Sequence, residues 1–121
     1  MDNTQLFFID TLKLIPLSET SILLVQAPYD ELKQIFEKIS FKNENGIEFI
    51  KLNIENIKIL LFEIIYNDFE GYLQNATIIV KNKKIFEGYD CMEYGQFSKN
   101  FNLPIEFKRT HKSMIMISED W

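Results

Sequence analysis

The chain has 121 residues, 46% of them hydrophobic and 26% charged, with a formal net charge of -5. That is the length of one domain with a real core, and the composition excludes a disordered chain. The acidic balance argues against a compact nucleic-acid binder, which needs a basic face.

Cys91 is the only cysteine. An intrachain disulfide is therefore excluded, and a reducing, cytoplasmic setting is expected. The start, MDNTQLFFIDTLK, lacks the basic and apolar regions of a signal peptide. The longest wholly apolar runs have four residues, Ile59–Phe62 among them, so no membrane span is expected.

In chain order, residues 5–15 end at Pro16. Leu12 and Leu14 alternate with Thr11 and Lys13, which favours a strand over a short helix. Ser21–Ala27 reads as a buried strand. Pro28-Tyr29-Asp30 then opens a helix to about Ile39, with Leu32, Ile35, Phe36 and Ile39 on one stripe. Lys42–Gly46 is a turn in which Asn45-Gly46 supplies positive φ. Ile47–Ile54 alternates, with Ile47, Phe49 and Lys51 on one face and Glu48 and Ile50 on the other. Ile57–Ile65 is rich in isoleucine; its β-branching favours a central strand, and a helix from near Asn53 is the alternative.

Tyr72–Val80 and Lys84–Tyr89 form a hairpin around Lys81–Lys84, with residue numbers of opposed pairs summing to about 165, so that Glu87 faces Ile78. A short helix over Met92–Asn102, another near Pro104–Lys112 and a last strand over Ser113–Ser118 complete the pattern. The expected fold is α+β in one domain over residues 1–121. Its mainly antiparallel sheet has about five strands, with two or three helices packed on it.

Catalytic residue types are sparse. The lone histidine, His111, lies between Thr110 and Lys112 and reads as a surface residue. Cys91 with His111 would be the only thiol–imidazole pair, and no local signature around Cys91 supports one. One cysteine and one histidine do not make a zinc site, and four glycines form no phosphate-binding loop. The carboxylate pairs Asp68/Glu70 and Glu87/Asp90 would be the groups of a small hydrolase. The reading is a protein that is not an enzyme and has no cofactor and no metal.

The tetrapeptide Phe-Glu-Gly-Tyr occurs at residues 69–72 and again at 86–89. Its phenylalanines, Phe69 and Phe86, read as core, and Gly71 and Gly88 as relief at strand ends. Between Tyr66 and Phe97 lie seven of the 17 aromatic residues, with acids around them and cations only at the hairpin tip. Tyr66, Asp68, Glu70, Tyr72, Glu87, Tyr89, Asp90, Glu93 and Tyr94 are the expected partner-binding residues, gathered at the hairpin's open end. Tyrosine brings large contact area at small entropy loss, and acids around it steer a basic partner.

The segment YNDFEGYLQNATIIVKNKKIFEGYD, its ND-x-x-GYLQ strand and FEGYD return, and the terminal ISEDW resemble the immunity proteins of bacterial polymorphic-toxin and contact-dependent growth inhibition systems. The likeness covers mainly residues 66–121. It implies a bacterial cytoplasmic protein that binds and neutralises one cognate toxin domain, a nuclease with a basic cleft, as a monomer within a heterodimer. It implies no contact with nucleic acid or membrane. A non-catalytic interaction or regulatory module is the alternative.

Overall fold

A computed structural model describes residues 2–26, 30–66 and 73–121. Among these residues it contains a seven-stranded sheet and four α-helices. The α+β class holds, while the strands and helices exceed the five and the two or three expected.

The first helix, α1 (Asn3–Leu14), occupies a segment expected as a strand. The alternation of Leu12 and Leu14 spans only four residues. It is overridden by Phe8, Thr11, Leu12 and Ile15, a buried i, i+3, i+4, i+7 stripe. Thr11 is buried because its hydroxyl bonds back to the Phe7 carbonyl at 2.8 Å. Asp2 caps the helix and exchanges hydrogen bonds with Gln5 in a capping box, a start signal present in the sequence.

Strand β1 (Ser21–Gln26) follows, then α2 (Asp30–Ile39), which buries Phe36 fully and Ile35 and Ile39 in part. The expected opening at Pro28-Tyr29 lies outside the described residues. Strands β2 (Ser40–Glu44) and β3 (Ile47–Lys51) are joined by Asn45 and Gly46, with φ of 54° and 83°. Two successive positive-φ residues give a type I′ turn, whose twist matches the strands. Strand β3 alternates as expected and buries the Glu48/Ile50 face.

Residues Ile54–Tyr66 form α3 rather than a strand. The Asn53 side chain accepts from the Asn56 backbone N–H at 2.9 Å, capping the helix, and Ile57, Leu60 and Ile64 make its buried stripe. Here a cap and a 3.6-residue period outweigh β-branching.

Strand β4 (Asn75–Val80) pairs with β5 (Lys83–Tyr89) across Lys81-Asn82, both at positive φ. An irregularity at Ile85 shifts the register, so Glu87 faces Thr77, not Ile78. The expected helix from Met92 is absent. Asp90, Cys91 and Met92 take φ of 48°, 56° and 67° in a turn that leads into β6 (Tyr94–Phe97). A short helix α4 (Ile105–Thr110) then carries the chain to β7 (Ile115–Ile117).

The sheet order is β2-β3-β1-β4-β5-β6-β7. All pairs are antiparallel except β6–β7, so the sheet is mixed. One face carries the core: Leu23, Ile50, Ile78, Phe86 and Phe97 lie in line across five strands and are fully buried. Phe7 of α1 meets Phe86 and Phe97 edge-on at 6.0 and 6.3 Å between centroids. Gly95 permits this approach, since a Cβ there would collide with the Phe86 and Phe7 rings.

His111 is a further correction. It is 3% exposed rather than a surface residue. Its ring packs between Phe7 and Phe107, and Nε2 lies 2.7 Å from Asp10 Oδ2. The contact ties α4 to α1 across 101 residues of sequence.

Candidate functional site

Among the described residues, the rings of α1 and α4 pack on the core face, against Phe86 and Phe97, and the other, open face of the sheet is less buried. One row of side chains crosses all seven strands there: Lys42, Phe49, Leu24, Thr77, Glu87, Gln96 and Met116. None of these seven is fully buried. Strand alternation fixes the arrangement, because directly paired residues point the same way.

Within the second FEGY, Phe86 points into the core and Glu87 outward, Gly88 inward and Tyr89 outward. Gly88 lies inside β5 rather than at a strand end. A Cβ there would run into the Met92 side chain, which fills the space. The first FEGY, with Phe69, Glu70, Gly71 and Tyr72, lies outside the described residues, as does Asp68.

At the β5–β6 end of the open face the polar groups are linked. The Tyr89 hydroxyl donates to Glu87 Oε2 at 2.6 Å, and Lys84 Nζ donates to the same oxygen at 3.0 Å. The Lys84 ammonium also sits 4.9 Å from the centre of the Trp121 ring. Tyr89 and Tyr94 face each other across the strand pair, with rings stacked at 5.3 Å and 21°. The turn between them exposes Asp90 and Glu93.

Burial alone would raise the Glu87 pKa. The hydrogen bonds from Tyr89 and Lys84 and the lysine's charge more than offset it, so the carboxyl is held below its ordinary 4.5. Burial pushes the Tyr89 hydroxyl up, and the bond to Glu87, the charge of Glu87 and the neighbouring Tyr94 add to it, bringing it to about 12. A carboxylate already holding two donors is a poor general base. It suits a fixed negative charge that orients two tyrosine rings.

Of the expected partner-binding residues, Glu87, Tyr89, Asp90, Glu93 and Tyr94 therefore come together. Tyr66 does not join them. It lies at the end of α3 on the helical side of the sheet, its ring 4.7 Å from that of Phe62. Lys84, Gln96 and Trp121 were missed; Gln96 was recoverable from β5–β6 alternation, but alternation alone would turn Lys84 inward with Phe86, and only the irregularity at Ile85 brings it beside Glu87. Nothing local in the sequence brings Trp121 beside Lys84.

The far end of the same face is built differently. Phe41 and Phe49 meet edge-on at 6.2 Å, with Lys42 and Lys51 over their rings at 5.0 and 5.6 Å. The open face thus runs from a cation–aromatic end to an acidic tyrosine end.

Elsewhere, His111 Nε2 is engaged by Asp10 rather than by Cys91. Among the described residues no group of three His, Cys, Asp or Glu side chains could hold a metal ion. No described helix is long and apolar enough to cross a membrane. No family model matches this sequence, and neither a curated protein nor a solved structure matches it.

Proposed function

We propose that this chain is a non-catalytic binding protein of the immunity type, which captures a cognate toxin domain, a basic nuclease, and blocks its active-site cleft. The reading rests on the Tyr89–Tyr94 stack with Glu87, Asp90 and Glu93 around it. Two rings already stacked lose little entropy on binding, which is how aromatic residues come to dominate interfaces. The acids beside them, on a chain of net charge -5, raise the encounter rate with a cationic partner. The protein acts in the cytoplasm, where such a toxin would be intercepted.

The reading requires a toxin domain encoded by a neighbouring gene, and the test uses that domain; a neighbourhood without one counts against the proposal. Affinity is measured by calorimetry at two salt concentrations, and survival is scored when both proteins are co-expressed. Tyr94→Ala should weaken binding at least tenfold at either salt. Asp90→Lys with Glu93→Lys should weaken it mainly at low salt. Failure of the wild type to bind and to rescue cells overturns the proposal.

A further inference from the structure

Helix α3 is apolar on two sides. Ile57, Leu60 and Ile64 face the core, yet Ile54, Ile59, Phe62, Ile65 and Tyr66 are 61%, 42%, 58%, 45% and 73% exposed. Five large apolar or aromatic side chains on one outer face of a 13-residue helix are not scattered surface hydrophobes. A surface helix whose core side is already packed normally turns a mainly polar face to water, and this one has few polar positions to turn there, chiefly Glu55, Lys58 and Glu63. Leu6 of α1 is also exposed, one residue from Gln5, whose amide donates to the Ile64 carbonyl at 2.9 Å.

The order of residues on this face is polar first, aromatic last. Glu55, Ile59, Phe62 and Tyr66 form one stripe at i, i+4, i+7 and i+11, and Lys58 and Ile65 flank it on one side. Placed parallel on a second copy, the stripe sets Glu55 against Glu55 and Lys58 against Lys58. Placed antiparallel about a two-fold axis between Ile59 and Phe62, it sets Glu55 against the tyrosine hydroxyl at position 66 of the other copy. The same placement sets Lys58 over the ring at position 62, and Ile54 against position 65. Each polar group meets a complementary one twice, once from each side of the axis.

We infer that the outer face of α3 is the interface of a symmetric, antiparallel homodimer of this chain. The contact leaves the open face of the sheet, on the other side of the molecule, free for a different partner. The inference therefore stands or falls separately from toxin binding. A pair of helices about 20 Å long makes an interface at the small end of specific ones, so the dimer is concentration-dependent.

Sedimentation velocity over a wide concentration range is the first measurement. The wild type should move from 14.4 kDa toward twice that mass as concentration rises. Phe62→Lys should abolish the change. Lys58→Glu should weaken the dimer at least tenfold, and Lys58→Arg should not. Orientation is read by cysteine pairing in a Cys91→Ser background: Glu55→Cys and Tyr66→Cys proteins should cross-link when mixed, and neither with itself. Circular dichroism melts keep misfolding distinct from loss of contact, since these side chains face water. A wild type that stays monomeric throughout, or a dimer that survives Phe62→Lys, overturns the inference.

Discussion

Tyr89 donates a 2.6 Å hydrogen bond to Glu87, two residues back on the same face of β5. Against the burial that would raise it, this bond and Lys84 hold the carboxyl below its ordinary 4.5, while burial first, and then the bond and the charge of Glu87, push the phenol to about 12. In acid the unfolded chain binds more protons at Glu87 than the folded one. Its contribution is therefore complete above 4.5 and lost as pH falls through the lower folded value. The phenol runs the other way: its contribution is complete below 10.0 and lost as pH rises toward about 12. Tyr89→Phe should cost about 1 kcal/mol at neutral pH, discounted because the pair is half exposed. That difference should shrink in acid. Urea melts of both proteins from neutral pH to acid check it, and a pH-independent difference removes the pair from the account.

Glu48 is 3% exposed on the covered face of β3. Asn43 donates to its Oε1, while Oε2 has no hydrogen-bond partner among the described residues. A buried carboxylate oxygen without a partner costs stability. Glu48→Leu keeps the volume and removes the cost, so it should raise stability by about 1–3 kcal/mol. A shift of the denaturation midpoint to lower urea would contradict it.

Gly95→Ala should destabilise by about 1–3 kcal/mol, since the added methyl must displace the Phe7 or Phe86 ring in a close-packed core. Gly46→Ala meets no atom within 4 Å and is strained only by its φ of +83°. Its cost should be nearer 1 kcal/mol, the ordinary left-handed penalty. Thermal melts of the two variants rank packing against backbone strain, and the opposite order would show that the ring cluster yields.

Asp10→Ala leaves the buried Nε2 of His111 without its carboxylate. The expected loss is about 1–3 kcal/mol. It should appear together with faster hydrogen exchange in α4, which this contact ties to α1. Unchanged exchange there would mean that the packing of Phe107 and His111 on Phe7 suffices.

Elements with undiluted local signals were legible in the sequence. Strand β1, helix α2 and the Asn45-Gly46 turn follow from an apolar run, a four-residue stripe and a turn dipeptide. The open-face placement of Glu87, Tyr89 and Tyr94 follows from alternation, once β5 and β6 are both strands. Helices α1 and α3 were misread because Thr11 counts as polar although its hydroxyl is satisfied by Phe7, and because isoleucine-rich segments suit either state. The cap at Asn53 and the Asp2–Gln5 capping box carried the answer and weigh little beside composition. The turn at Asp90–Met92 had no signal, since three left-handed residues without glycine are held by what surrounds them. His111 was misplaced because its partner lies far away in the sequence, and no local pattern announces such a contact.

Met92 lies under Gly88, fully buried, while Asp90 and Glu93 on either side of it stand in water. The turn is thus divided between a peg and its two charged neighbours. The peg sets the path of the backbone, and a change at Gly88 or Met92 would tilt the whole acidic end. Asp90 shares in that path through its φ of 48°, a conformation aspartate tolerates better than most residues, whereas Glu93 lies outside the left-handed run. A lineage meeting a new basic partner could therefore rewrite position 93 more cheaply than position 90.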